Sequence, residues 1–354
     1  MDDSEGERVL IVADWDADGV VAAALMLYAQ ERAGRFPLES RIKPDLMPAG
    51  PRSISEVLAE GCWDHVVILD IPYTQEVEAV LSRLRRECGS KIYYFDHHNT
   101  TIENMPLLEE RHDAFIVVGR SPTSVIVQRF LEGLGVKPTP RLAEFVKAVS
   151  VLEGGYKGQG KASTGMISVA ASISKSLNQL RNRSAWVKYV RWLANPLPFE
   201  DASLSLGNSK VNLVKYGMEV SKKNDEELKD IAMELAMSAK NLGFIRFVDA
   251  RDKWKRRGSS ALTSAIYRVL NTPVAALYEK DEGTRILIIR AGEGFAQDVM
   301  KTLEEMGAVE DVGGHGNIAV AKVRDEVTIK RLETALRRAA FEANRKRFEA
   351  ALDK

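Results

Sequence analysis

The sequence predicts an α/β protein of two α/β domains joined by a helical linker and insertion. Three observations carry that prediction. Short apolar runs alternate with stretches of helical period as far as residue 155, the alternation resumes near Phe244 after a mainly helical middle, and 354 residues exceed one ordinary domain of roughly 100 to 200. Composition agrees, because 45% hydrophobic residues with 25 Gly and 12 Pro exclude a disordered or fibrous chain.

The first apolar run, 9–13, ends in Asp14-Trp15-Asp16-Ala17-Asp18-Gly19, after which Val20, Ala23, Ala24 and Leu27 recur at helical spacing. That is strand, acidic loop and helix. The outline repeats at 66–69, which ends in Asp70 and is followed by a helix over 74–86, and again at 92–95, which ends in Asp96-His97-His98. A further strand at 115–118 precedes helices over 122–134 and 141–152. Continuous apolar strands between helices imply a buried, mostly parallel sheet with helices on both faces. Ligands of such sheets bind beyond the carboxyl ends of the strands.

A glycine cluster at 154–160 marks a boundary, and 164–240 is mainly helical with a break at Asn195-Pro196-Leu197-Pro198. This middle reads as a linker plus insertion, serving either as an oligomer contact or as a spacer. The second α/β unit has strands at 244–248, 274–278 and 286–289, helices at 260–270 and 295–306, and Gly313-Gly314-His315-Gly316-Asn317 before a strand at 318–323. Ile329, Leu332, Leu336, Ala339 and Ala343 are spaced as one face of a closing amphipathic helix. The expected domains are 1–155, 156–240, 241–328 and 329–354.

Fifty basic residues balance fifty acidic ones, so no overall field gathers nucleic acid or an anionic membrane, and phosphate binding must be local. The longest nearly apolar run, 20–29, is about half of a bilayer span, and the acidic start is unlike a secretory leader. The expectation is a soluble, cytoplasmic protein with no membrane partner. Cys62 and Cys88 form no CxxC pair and are expected to be reduced thiols.

Asp14, Asp16, Asp18, Asp70, Asp96, His97 and His98 all follow strands and face one crevice. Oxygen and imidazole donors without thiolate suit Mn²⁺ or Mg²⁺. So many neighbouring carboxylates cannot all stay ionised without cations, and two divalent ions are a standard device for cleaving a phosphoester. The bland readings are a DxD that only caps a helix and an Asp that only ends a strand. Two adjacent histidines after a strand-end Asp, in a chain with five histidines, favour the metal site.

This motif series, with the later Gly313-Gly314-His315, resembles that of the DHH phosphoesterase superfamily in its RecJ-like nuclease branch. The resemblance implies a catalytic DHH domain and a smaller DHH-associated domain with the catalytic cleft between them. It implies that Asp16, Asp18, Asp70 and His97 hold two Mn²⁺ ions, with Mg²⁺ able to substitute. His98 would act at the scissile phosphate, Asp96 would orient its neighbours, and Asp14 would assist. Two departures stand out: Val12 occupies a place where many relatives carry a histidine, and Glu153 stands where the family's fourth motif has an Asp. In the associated domain, Gly313, Gly314, His315 and Gly316 would hold substrate, with Arg290 as a second phosphate ligand; Gly316 is a minor departure.

Arg251, Lys253, Lys255, Arg256 and Arg257 around Asp252 and Trp254 give a local charge of five minus one, or plus four. That pattern suits a single-strand groove in which Trp254 stacks on a base; the alternative is a solvated loop with Trp254 in the core. The expected function is a Mn²⁺-dependent exonuclease on single-stranded DNA or RNA that releases nucleoside 5′-monophosphates in repair or replication. Chain length resembles the archaeal members, including the Hef-associated nuclease group, which implies 3′ to 5′ polarity, a homotrimer and a repair helicase as partner. The rivals are an oligoribonuclease, cyclic-dinucleotide or 3′-phosphoadenosine phosphatase using the same metals, and a non-catalytic replication or repair adaptor.

Overall fold

A computed structural model of the protein describes residues 6–59, 61–153, 162–195, 203–206, 209–254, 258–280, 283–292, 294–315 and 317–352. The glycine cluster at 154–160, the break at 196–198, residues 255–257 and Gly316 lie outside the described residues, as does the His315 side chain. The chain divides into two compact units, Met1–Ser221 and Lys222–Lys354.

The first unit begins with β1 (Val9–Ala13), α1 (Ala17–Leu27), a continuing π-helical segment (Tyr28–Ala33), β2 (Asp45–Pro48) and α2 (Ile54–Leu58). It goes on through β3 (His65–Leu69), α3 (Gln75–Cys88), β4 (Lys91–Asp96), α4 (Asn99–His112) and β5 (Phe115–Val118). Then follow α5 (Thr123–Gly133), α6 (Pro140–Leu152), α7 (Thr164–Leu180), α8 (Arg183–Ala194) and a hairpin of β6 (Ser203–Leu206) with β7 (Ser209–Asn212).

The five strands β1 to β5 form one parallel sheet in the order β2-β1-β3-β4-β5. Period-two alternation sends successive residues of each strand to opposite faces, and both faces are buried. Ile11, Ala13, Val67, Leu69 and Phe95 pack with residues of α1, α5, α6, α7 and α8. Leu10, Val12, Val66, Ile68, Ile92 and Tyr94 pack with residues of α2, α3 and α4. Strand order reverses direction between β1 and β3, and in doubly wound sheets ligands bind at such a switch point.

Two expectations change here. The segment read as a linker is largely part of the first unit, because Ala170, Ile173, Leu177, Trp186, Tyr189 and Leu193 join the same hydrophobic cluster as the sheet. Their helical period marked an apolar face, and that face needed a core to cover it. Cys62 and Cys88 are not free thiols but a disulfide, with Cα atoms 5.3 Å apart. Spacing in sequence could not reveal that the turn into β3 meets the end of α3.

In the second unit α9 (Leu213–Met237), which starts before the boundary, leads to β8 (Lys240–Asn241), β9 (Arg246–Asp249), α10 (Ser259–Leu270) and β10 (Val274–Glu279). After these come β11 (Arg285–Arg290), α11 (Phe295–Glu305), β12 (Val309–His315), β13 (Ile318–Val323) and α12 (Ile329–Leu352). The six strands from β8 to β13 make a mixed sheet in the order β12-β13-β11-β10-β9-β8, with β9 and β10 its parallel pair. Leu332, Leu336, Ala339 and Ala343 of α12 pack with α11 against one face, as the amphipathic spacing predicts. Among the described residues, no helix is long and apolar enough to cross a membrane.

Candidate metal centre

Three loops at the carboxyl edge of the parallel sheet carry the acidic and imidazole side chains. The first follows β1. Asp16 is the N-cap of α1, its Oδ1 accepting from the Asp18 N–H at 2.9 Å and the Gly19 N–H at 3.1 Å, so the capping role is real and leaves Oδ2 uncommitted to the cap. Gly19 is required there, since a β-carbon would stand 2.6 Å from the Asp14 carbonyl oxygen. The Trp186 indole N–H of α8 donates to that same carbonyl at 3.0 Å, and the Arg181 guanidinium lies 5.0 Å over the Trp15 ring. The insertion thus buttresses the acidic loop.

Asp18 is buried, and both its oxygens are fixed by the start of α5. The Thr123 N–H donates to Oδ2 at 2.6 Å and the Ser124 N–H to Oδ1 at 2.9 Å. Asp70, directly after β3, is also buried and sits at φ 59°, the left-handed region that few residues other than glycine enter. Its Oδ1 accepts from the Thr123 hydroxyl at 2.9 Å and lies 3.4 Å from His97 Nε2. His97 Nε2 is also 3.9 Å from Asp18 Oδ2. Ligand atoms of Asp70, His97 and His98 all lie within 4.8 Å of one another.

Behind them, Asp96 is fully buried at the end of β4. It accepts from His98 Nδ1 at 2.8 Å and from the Thr101 hydroxyl of α4, so its part is to aim His98. Tyr73 N–H donates to the Thr101 oxygen at 2.9 Å, and the Tyr73 hydroxyl donates to Glu78 at 2.7 Å, which extends the network to α3. Glu153 caps the C-terminal end of α6.

The charges of these side chains act on one another. Burial, reinforced by the charge of Asp16, pushes the Asp14 carboxyl up to about 7. Burial, with the charges of Asp16 and Asp18, pushes Glu153 up to about 8. Asp18 is raised by burial against the opposing pull of His97, and Asp70 is raised well above the carboxylate range by burial and by Asp18 and Asp16. Asp96 goes the other way: burial opposes its charge, but His98 outweighs it and holds the carboxyl below its ordinary value. For His98, burial opposes the imidazolium and Asp96 overrides it, lifting the ring to about 9. Carboxylates that burial, and then mutual repulsion, drive toward protonation are the donor set a divalent cation would satisfy, and oxygen plus imidazole ligation suits Mn²⁺ or Mg²⁺. The residues present therefore fit a metal.

Val12 points into the hydrophobic cluster beneath the sheet, with Met47 and Ile68, and contributes no donor. In the second unit, the register sets Arg290 and His315 on either side of Ile318, at one end of three adjacent strands. Gly314 is needed in that turn: φ is 126°, and a β-carbon would meet the Ile318 carbonyl oxygen at 2.4 Å.

The stacking role read for Trp254 is corrected. Trp254 is 3% exposed and packs with Val248, Leu262 and Tyr278, so its ring is core and cannot stack on a base. Arg251 forks onto Asp249 at 2.8 and 2.7 Å, and Lys253 pairs with Glu234 at 2.7 Å, so two of the five cations have acidic partners, while Lys255, Arg256 and Arg257 lie outside the described residues. Thr123, Ser124, Trp186 and Arg181 were absent from the sequence reading of the site. The first two had a signal, Ser121-Pro122-Thr123-Ser124, a helix start following a strand of the same edge.

Fold and site together define a two-unit α/β protein with an acid and imidazole cluster at the switch point of a parallel sheet. No family model and no curated protein matches the chain. Solved structures do. The chain is 15% identical to RecJ from Thermus thermophilus in complex with Mn²⁺, with a TM-score of 0.62 over 96% of this chain and 52% of that one. It matches the DHH domain of a member of a family of ribosomal proteins at 15% identity and TM-score 0.62, over 94% of this chain and 86% of that one. A pGpG-specific phosphodiesterase from Vibrio cholerae aligns at 14% identity and TM-score 0.54, over 95% of this chain and all of that one. The chain has the fold of the RecJ-like DHH proteins, and it spans about half the length of the Thermus RecJ chain.

Proposed function

We propose that the protein is a metal-dependent phosphodiesterase that shortens single-stranded DNA or RNA from the 3′ end, releasing nucleoside 5′-monophosphates. The observation that supports this reading most is the convergence of Asp18, Asp70, His97 and His98, electrostatically joined by Asp16 and Glu153, at the switch point of a RecJ-like fold. Asp16, Asp18, Asp70, His97 and Glu153 would hold two divalent ions, Mn²⁺ or Mg²⁺. Bound there, the ions would activate water and stabilise negative charge on the phosphate.

The side chains supply the rest. A water oxygen forms a bond to phosphorus as the P–O3′ bond opposite it breaks, so the phosphate leaves on the released nucleotide and the 3′ oxygen takes up a proton. His98, aimed by its hydrogen bond to Asp96, is the group suited to donate to the phosphate oxygens as charge builds. Arg290 and the Gly313-Gly314-His315 turn are proposed to hold a substrate phosphate, the turn through backbone N–H groups.

A second reading is kept because two observations favour it. Arg251 and Lys253 of the cationic stretch are engaged by Asp249 and Glu234 and Trp254 is core, and the pGpG phosphodiesterase is matched over its full length. On that reading the substrate is a dinucleotide. Incubation with Mn²⁺ and oligonucleotides of two and twenty units, labelled at either end, separates the two. Stepwise shortening of the long strand from its 3′ end, abolished by Asp16→Ala, is the expected result. Cleavage of the dimer alone would replace the exonuclease by the dinucleotide enzyme, and no Mn²⁺-dependent cleavage would overturn both.

A further inference from the structure

The first turn of α5 touches two of the proposed metal ligands from different strands. Thr123 is buried, its N–H donates to Asp18 Oδ2 at 2.6 Å, and its hydroxyl donates to Asp70 Oδ1 at 2.9 Å. The Ser124 N–H takes the other oxygen of Asp18 at 2.9 Å. Pro122 is the N-cap, so the free N–H groups of the first helical turn point out of the helix toward an acceptor, and that acceptor is Asp18. One residue therefore links the carboxylate in the first turn of α1 to the carboxylate after β3.

We infer that Thr123 is the positioning residue of the metal centre: its hydroxyl sets the direction of the Asp70 carboxylate while its N–H sets that of Asp18. This rests on the metal-site reading above. The hydroxyl occupies one lone-pair direction of Asp70 Oδ1 and turns the other oxygen to a fixed azimuth. Without it, the carboxylate rotates about its Cβ–Cγ bond, and the ligand set must be ordered by the cation itself. Groups that orient metal ligands in this way typically carry ten- to a hundredfold in affinity. The N–H bond to Asp18 survives any substitution other than proline, so side-chain variants isolate the hydroxyl.

The test is Mn²⁺ binding by calorimetry, with the visible spectrum of a Co²⁺-loaded sample reporting geometry. Thr123→Val keeps the shape and deletes the hydroxyl; the expected outcome is a ten- to hundredfold weaker Kd and a changed Co²⁺ spectrum. Thr123→Ser restores the donor and is expected to bind within about threefold of the parent with an unaltered spectrum. Thermal unfolding accompanies each measurement, and Thr123→Ala substitutes if the valine variant does not fold. Equal Mn²⁺ affinity and equal spectra in the parent and the hydroxyl-deleted protein would overturn the inference. If the parent itself binds no Mn²⁺, or binds it no better than Asp16→Ala, it is the metal-site reading that fails.

Discussion

Glu78 shows how one side chain can tie two helices of the first unit. It is half-buried on α3, accepts from the Tyr73 hydroxyl at 2.7 Å, and lies 2.7 Å from His112 Nε2 and 3.4 Å from an Arg111 nitrogen, both on α4. Burial opposes its charge, but the Tyr73 and His112 hydrogen bonds outweigh burial and hold the carboxyl below its ordinary value. A carboxyl whose pKa is depressed in the folded state stabilises that state fully above its unfolded value, about 4.3, and loses the contribution as pH falls through the folded pKa. Glu78→Gln is expected to cost roughly 1 kcal/mol at pH 7 and to flatten the decline of stability below pH 5. Urea unfolding at a series of pH values measures both. An unchanged acid limb would mean that the solvent-exposed part of this network already screens the carboxylate.

Among elements, the insertion helices were the ones whose place sequence could not assign. Their apolar period was legible, yet period says only that a face is buried and not against which sheet. Trp186 illustrates the gap: it is a helix residue 172 positions from Asp14 in sequence, and its indole holds the carbonyl of that residue. The disulfide is the other long-range link. It joins Cys62, just before β3, to Cys88 at the end of α3, 26 residues apart, and so closes a loop around one strand and one helix. Closing a loop of that length restricts the unfolded chain by roughly 3 kcal/mol in the chain-entropy account. Reductant is therefore expected to lower the unfolding free energy by about that amount, and Cys62→Ser with Cys88→Ser is expected to remove the effect of reductant. Identical unfolding curves with and without reductant, together with two titratable thiols in the native protein, would show that the thiols are unpaired.

Across the whole molecule, the motifs that end strands were the most legible part of the sequence. Asp70, Asp96, His97 and His98 each stand where an apolar run stops, and an apolar run of four or five residues between helices has few other fates than a buried parallel strand. The stacking role read for Trp254 failed for the converse reason, since nothing in its local sequence registers the core that covers it. A count over 251–257 holds one acid, Asp252, but Arg251 pairs with Asp249, just outside that window, and Lys253 with Glu234 of α9, so such a count does not register the pairing. This has a measurable consequence for the proposed nucleic-acid substrate. Net charge is zero, with 50 basic and 50 acidic residues, so no general field adds to the contacts at the site. Each phosphate neutralised on a single strand contributes about −0.7 to the slope of log K against log salt. With about two phosphates held by the protein, as the proposed function has it, the slope for a twenty-unit strand is expected near −1.4, measured by fluorescence anisotropy in Ca²⁺, which is expected to occupy the acidic site while suppressing cleavage. A slope of about −4 or steeper would place about six phosphates against protein, more than the proposed contacts supply, and would require a second cationic surface that takes part in holding the strand.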